Sequence, residues 1–546
     1  MWEALPINEK EEYKRIILAF ASLSEMFAQK IEDGDTSGLV PIINSKFQET
    51  LFQRAFSAKA EDVGNTSYDA SLEKQVGNVM KKYLVGIKTF GIGSGYQKIA
   101  QFKAEVGNWS QIFAEIEKNC EEQNLKTKEE INKVNEPLYR KAALKIAEIR
   151  NMRIDSSEAN AKGFNVEDDR ENLETVYHVL MPSKKDEPPC IYVGETSYNR
   201  ININAIKIIG CTSKKVVNFE FEDGIHRYRF TFADSQLLMD FKNRDIVKDS
   251  WDVKYLDDPY AVFAQIADNL DGGKSNKPVS FIHQLSSDNL RSKSIFRETY
   301  SWKIVNKYGE VERYSGFNAF YGVSSKMSRN NREQAVENLK NDFSDDIPAA
   351  ELNLIYNGLR EYFNLPNAER MRKELLRDNM MKAVKAIDNN DFTARFVKLA
   401  FRPVDELYIP LPNSLKFHTE HPDFFAPGAG RFERKNGKWE YVLPKEERAF
   451  NMVFEPSGNE IRCFITQDTG KGIESDKSQG HLGNWLLRKV FQLNKYEPLT
   501  AKRLDELGIN GVRLAKNSDT GNIHFTFLWI DDDNLPDDYI GYKQLS

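Results

Sequence analysis

The spacing of apolar residues divides the chain into segments of different period. Ile16, Phe20, Leu23 and Phe27 recur at helical spacing with charges between them, which predicts an amphipathic helix over residues 7–31. A second helix is expected from about Ser45 to Phe56. The apolar run from Tyr83 to Phe90 (YLVGIKTF) reads as a buried strand, and Gly91, Gly93 and Gly95 make a flexible loop after it. Residues 127–150 are charged and helical, and residues 176–232 are rich in strand signals. Within the latter, residues 216–221 and 225–232 flank Glu222-Asp223-Gly224, a hairpin signal. A polar stretch from about Gln265 to Ser294 reads as a linker or loops. Residues 331–400 are helix-periodic, for example at Met371, Leu375, Leu376 and Met380, and strands resume from Leu407. The expected plan is an α/β N-terminal domain (residues 1–255) and a mainly β C-terminal domain (residues 256–546) with a helical insertion at about 331–400.

Composition changes this picture in three respects. The 546 residues suffice for more than one hydrophobic core. No apolar run approaches the roughly 18 residues of a membrane helix, and the first residues lack a basic segment followed by an apolar one, so no membrane partner and a cytoplasmic location are expected. The four cysteines, Cys120, Cys190, Cys211 and Cys463, form no CxxC pair, which argues for a reducing compartment and against structural zinc. The net charge of −6 does not exclude nucleic acid, because local patches set the field at a contact.

Candidate chemistry lies in two places. Glu49 on the second helix, Asp69 after a polar segment, and Lys88 on the apolar strand supply oxygen ligands for Mg²⁺ and a cation, the kit for phosphodiester hydrolysis. Gln97, just past the strand, is a further candidate to hold water or phosphate. The same residues also fit a turn (Asp69), a lysine snorkelling at a strand end (Lys88) and a solvated helix position (Glu49). Farther on, the stretch from Arg313 to Arg332 contains four basic residues, Arg313, Lys326, Arg329 and Arg332, and no acid. Ser315 and Asn318 lie there among aromatics, and arginine and asparagine can pair bidentately with base edges. Gln467, Asp468 and Lys471 sit in a polar loop that can face a polyanion or form an ordinary hairpin tip. The basic run of the insertion, with Arg370, Arg372, Lys373 and Arg377, reads as a solvated face, a DNA contact or a dimer surface.

Four motifs in order carry a resemblance. Ser315-Gly316-Phe317-Asn318, then Glu406-Leu407-Tyr408-Ile409-Pro410-Leu411-Pro412, then Gln467-Asp468-Thr469-Gly470-Lys471, then Leu482-Gly483-Asn484-Trp485-Leu486-Leu487-Arg488 follow one another. This order resembles the C-terminal DNA-binding domain of restriction endonucleases of the BfiI and NgoFVII type. The resemblance implies the pseudobarrel fold shared with the EcoRII effector domain and plant transcription factors. It covers roughly residues 300–325 and 402–528, and the helical insertion is not part of the family pattern. Many relatives carry a phospholipase-D-type nuclease marked by His-x-Lys, and none of the seven histidines here has lysine two positions on. The N-terminal half instead resembles, in part, the PD-(D/E)XK nucleases, with Gly86 standing where that pattern has Asp or Glu and Glu49 as the substitute.

Together the resemblances imply a restriction-endonuclease-like α/β nuclease domain followed by a β pseudobarrel that reads DNA. The implied activity is that of a type II, Mg²⁺-dependent, sequence-specific endonuclease acting on double-stranded DNA. Glu49 and Asp69 would hold the metal, and Lys88 would stabilise the charge on the reacting phosphate or orient water. Arg313, Ser315, Asn318, Lys326, Arg329, Arg332, Gln467, Asp468 and Lys471 would contact DNA. A homodimer and a companion DNA methyltransferase are the implied partners. A modification-dependent nuclease and a DNA-binding protein without catalysis are the alternatives.

Overall fold

The computed structural model describes residues 1–27, 39–60, 67–102, 109–164, 173–212, 215–270, 296–323, 327–476 and 479–542. Its contacts divide the chain into two units, each mixed or mainly β with its own core. The first comprises Met1–Ala161, Asn165–Ser294 and Asp505–Ile509. The second comprises Lys162–Phe164, Ile295–Leu504 and Asn510–Ser546.

In the first unit, α1 (Ile7–Ala21) and α2 (Ser45–Ala55) precede a sheet. The sheet begins with β1 (Lys59–Ala60), β2 (Ala70–Val76) and β3 (Val79–Thr89). A strand β4 (Gln97–Gln101) and helices α3 (Trp109–Glu122) and α4 (Lys128–Lys162) come next. They lead to β5 (Leu173–Pro182), β6 (Cys190–Ser197) and β7 (Lys207–Cys211). The unit continues with β8 (Phe219–Glu222), β9 (Arg227–Thr231), β10 (Gln236–Met239), β11 (Val247–Asp252) and α5 (Pro259–Leu270). The six-stranded sheet has the order β1-β2-β3-β5-β6-β11 and the five-stranded sheet the order β4-β10-β9-β8-β7. β3 runs antiparallel to β2 and parallel to β5, a pairing that requires a crossover, and α3 and α4 lie in the connection.

The two faces of β3 enter different cores. Tyr83, Val85 and Ile87 join Trp2, Tyr13, Phe52, Phe56 and Trp251, while Leu84 and Phe90 join Tyr68, Tyr177, Tyr198 and the apolar face of α4. Strand β3 is therefore covered on both sides, which explains its unbroken apolar run. The hairpin expected around Asp223 forms as β8–β9. Asp223 closes it by accepting from the N–H groups of Ile225 and His226 and from the Tyr228 hydroxyl. The first helix is shorter than its period suggested. It ends at Ala21, where the Ser22 and Ser24 hydroxyls donate to the Ala19 and Ala21 carbonyls, and a 3₁₀ turn, Ser24–Phe27, follows.

The second unit is built on a seven-stranded sheet compatible with a barrel-like domain. It uses β12 (Phe296–Lys303), β13 (Ile409–Pro410), β16 (Ala449–Phe454), β17 (Asn459–Thr466), β18 (Gly472–Ser475), β19 (Gly511–Asn517) and β20 (Ile523–Leu528). Their order is β12-β19-β20-β16-β17-β18-β13, antiparallel except for β16–β20. A separate hairpin pairs β14 (Phe432–Lys435) with β15 (Lys438–Tyr441). The insertion holds α6 (Arg329–Asp342), α7 (Ala349–Asn364), α8 (Arg370–Ala386) and α9 (Asn390–Ala400), and α10 (Ser414–Glu420) follows β13.

Helix α8 meets the sequence expectation only in part: Met380 and Val384 are buried. Met371 and Leu375 are 79% and 64% exposed, whereas Lys373, Glu374 and Arg377 are buried. The first half of the inward face is polar, and it meets aromatic residues that can satisfy it. Arg377 lies over the rings of Tyr321 and Phe401 at 4.2 and 4.5 Å and donates to the Tyr321 carbonyl at 3.0 Å. The Tyr321 hydroxyl in turn donates to Asp378 at 3.0 Å. Burial and neighbouring Arg332 lower the Lys373 pKa.

Candidate nucleic-acid interface

Three of the four motifs are hydrogen-bonded to one another in the second unit. The Tyr408 N–H donates to the Gly316 carbonyl at 3.3 Å, tying Tyr-Ile-Pro to Ser-Gly-Phe-Asn. Strand β13 pairs with β18, and the Leu411 N–H donates to the Lys471 carbonyl at 2.8 Å, tying Tyr-Ile-Pro to the Gln-Asp-Thr-Gly-Lys loop. The fourth motif supports the second from behind. Arg488 donates to the carbonyls of Val404, Leu493 and Asn494 and pairs with Asp405 at 3.3 Å. Gly483 is pressed against the Asp405 carbonyl, so any side chain there would displace the turn that precedes β13. Trp485 and Leu486 are buried, as expected of core residues.

The Gln467 to Lys471 loop is held in a costly backbone conformation. Gln467 has φ 65° and ψ 171°, a region that non-glycine residues enter at a cost of about 1–3 kcal/mol, and Thr469 is left-handed at φ 59°. Several contacts enforce this. The Tyr441 hydroxyl donates to the Gln467 carbonyl at 2.7 Å, and the Ser414 and Thr469 hydroxyls lie 3.1 Å apart. Buried His418 contacts the Gly470 carbonyl at 3.0 Å. A carbonyl only accepts, so His418 Nε2 carries the proton, and burial lowers the imidazole pKa, which keeps the ring neutral. Arg448 donates to the Ile465 carbonyl at 2.6 Å and stacks on Tyr441 at 3.5 Å. With its backbone fixed, the loop leaves Gln467, Asp468 and Lys471 exposed.

A cleft of about 580 Å³ opens between these motifs. Ser315, Tyr408, Pro410, Gln467 and Lys471 line it, with Arg370 from the insertion. Its other arginine, Arg402, is paired with Glu406. Lys471 has no ion pair among the described residues, so its charge faces the cleft uncompensated.

The remaining DNA-contact candidates divide. Arg313 is bound at 2.7 Å to Glu374 of α8, whose other oxygen takes the Tyr314 hydroxyl. Asn318 is a correction. It is buried, its amide donates to the carbonyls of Glu312 and Leu499, and its oxygen accepts from the Leu499 N–H at 2.7 Å. It clamps two loops and has no edge left for a base. Arg332 stacks on Phe363 at 5.4 Å in a separate groove of about 650 Å³ within the insertion. Arg329 begins α6, and its side chain lies outside the described residues, as does Lys326. Of the basic run in the insertion, Lys373 and Arg377 are buried and so are neither a solvated face nor a DNA contact.

In the first unit, Asp69 and Lys88 come together. Asp69 Oδ2 accepts from the Ile87 N–H at 2.6 Å and lies 3.6 Å from Lys88 Nζ, which is 30% exposed. Glu49 is paired with Lys46 of its own helix at 3.0 Å. Its neighbour Gln48 bonds to Thr89, which fixes the first turns of α2 at the end of β3 that carries Lys88. Gln97 belongs to β4 of the other sheet and donates to the Gly95 carbonyl at 3.1 Å. Gly86 is closed to substitution: a Cβ would lie 2.9 Å from Tyr177 and 3.0 Å from Tyr198. Those rings stack at 4.2 Å, with buried Arg150 over Tyr198 at 5.1 Å.

Sequence reasoning missed Glu374, His418 and Arg448. None carries a local signal, because each bonds to a partner at least 17 residues away, even where Arg448 also lies over the nearer Tyr441 ring. No protein-family model matches the chain, and no curated protein matches it significantly.

Proposed function

We propose that the chain is a sequence-specific endonuclease acting on double-stranded DNA, of the type II restriction kind, in which the second unit reads the site and the first cuts. The observation that carries the reading is the cleft. Motifs about 150 residues apart in the chain supply Ser315, Tyr408, Gln467 and Lys471 to one concave, polar, partly cationic surface. A fixed loop backbone with outward amide, carboxylate and ammonium groups suits base-edge and phosphate contacts. The pairing of Asp69 with Lys88 at 3.6 Å supports hydrolysis in the first unit.

Mg²⁺ is usually held by one or two carboxylates with water and substrate phosphate. Asp69 fits as a ligand, and Glu49 would join it from α2. Among the described residues no group of three or more His, Cys, Asp and Glu forms a metal cage. The ion would supply an activated water and neutralise charge on the scissile phosphate. Lys88, held beside Asp69, would place its ammonium against the same phosphate. The two alternate in partnership: Lys88 neutralises Asp69 at rest and turns to phosphate when DNA is bound.

The closure of Gly86 by Tyr177 and Tyr198 favours a second reading, a DNA-binding protein without catalysis, because no carboxylate can stand at that position. Incubating the full chain with methylated and unmethylated plasmid DNA, with and without Mg²⁺, separates these readings. Discrete fragments that require Mg²⁺ support the nuclease. Binding without fragments supports the regulator, and fragments from methylated DNA alone support a modification-dependent enzyme.

A further inference from the structure

The β14–β15 hairpin is a two-stranded ribbon outside the three larger sheets. Its base is packed and its tip is exposed. Phe432 packs on Tyr441 at 4.8 Å in a tilted arrangement and on His418 at 5.5 Å, and Tyr441 holds the Gln467 carbonyl. From Glu433 to Glu440 every residue is exposed, including Trp439 at 42%. The turn is Asn436-Gly437, both left-handed at φ 49° and 79°, the tight turn that matches strand twist.

The charges are arranged by height along the ribbon. Lys435 and Lys438 face each other across the strands next to the turn, and Arg434 faces Trp439 one pair below. Glu433 and Glu440 face each other nearer the base. Opposed like charges destabilise a hairpin on its own. Here Glu433 and Glu440, on the same face as the two lysines, offset that repulsion in part. Glu433 pairs with Lys435 at 2.5 Å, whereas Arg434 and Lys438 have no ion pair among the described residues.

We infer that this ribbon enters the major groove of duplex DNA, with Arg434, Lys435 and Lys438 on phosphates or guanine edges. The inference rests on the DNA-binding reading of the cleft. Strands about 4.8 Å apart fit a groove about 12 Å wide, so the major groove admits the ribbon without deformation of the duplex. Because the base of the ribbon is bonded to Gln467, a duplex that meets Lys471 lies within reach of the tip.

Two measurements test it on the full chain, using a pool of labelled random-sequence 30-base-pair duplexes. In the first, affinity is followed against salt concentration for wild type, Lys471→Ala and the triple variant Arg434→Ala/Lys435→Ala/Lys438→Ala. The three side chains are exposed, so the melting temperature should be unchanged. The triple variant is expected to bind at least tenfold more weakly, with a salt slope lower by about 2, near 0.9 per lost phosphate contact. In the second, duplexes carrying 5-iododeoxyuridine, whose iodine projects into the major groove, are irradiated, and adducts are expected on residues 431–441. A wild-type slope in the triple variant, with a lowered slope in Lys471→Ala, overturns the ribbon and leaves the cleft standing. Adducts confined to other segments overturn the groove assignment. No duplex binding by wild type overturns both.

Discussion

The two candidate sites are built in opposite ways. In the second unit the backbone is strained and locked, and the functional side chains are left exposed. Gln467 and Thr469 are forced to positive φ by Tyr441, His418 and Ser414, while Lys471 faces the cleft without a counter-ion among the described residues. In the first unit the backbone is regular strand, and the functional side chains are already paired with each other. The difference matches two kinds of work. Reading a duplex needs groups presented in fixed register before the ligand arrives. Charge neutralisation during hydrolysis needs an acid and a base that exchange partners when substrate and metal enter.

The largest expected effects would break the comparison at the first unit. Asp69→Ala and Lys88→Ala should each lower cleavage by at least a thousandfold, while duplex affinity stays within about threefold, read by single-turnover cleavage and anisotropy. Asn318→Ala should destabilise the second unit by about 3 kcal/mol in urea unfolding. The change strands the buried Leu499 carbonyl and N–H, at about 1–3 kcal/mol each. A base-reading Asn318 would instead leave stability unchanged and relax specificity.

Stability of the first unit should also depend on pH. His178 is buried against Trp2, Tyr13 and Phe52, and burial pushes its pKa down to about 3. A base whose folded pKa is depressed loses stability as pH falls below its unfolded value of about 6.5. Lowering the pH to 4.5 should therefore cost about 2–3 kcal/mol, seen as faster hydrogen exchange in β5 after correction for intrinsic rates, and His178→Asn should remove most of that dependence.

Smaller effects would sharpen the comparison at the second unit. Lys471→Ala should weaken binding about tenfold and lower the salt slope by about 1. Gln467→Gly should raise thermal stability by relieving about 1 kcal/mol of backbone strain and still weaken DNA binding, a trade that an ordinary hairpin tip would not show.

Much of this was legible in the sequence, and the exceptions have physical causes. Alternation and turn residues placed β3, the β8–β9 hairpin and the insertion, because each is encoded within a few residues. The ordered motifs pointed to surfaces that the fold joins through Gly316, Leu411 and Lys471. The first half of helix α8, at Met371 and Leu375, was misread because period alone does not say which face turns inward. Aromatic residues of another segment, Tyr314 and Tyr321, chose its polar face. Asn318 was misread for a related reason. Its residue type suits adenine equally well as it suits two backbone carbonyls, and only the approach of Leu499, 181 residues later, decides.

The central claim is that reading and cutting reside in different units. It is tested most directly by one double comparison: site binding and Mg²⁺-dependent cleavage of the same duplex by Asp69→Ala and Lys471→Ala. The account predicts that Asp69→Ala binds like wild type and does not cut, while Lys471→Ala binds weakly and regains cleavage at high protein concentration. Wild-type cleavage by Asp69→Ala, or unchanged binding by Lys471→Ala, would contradict it.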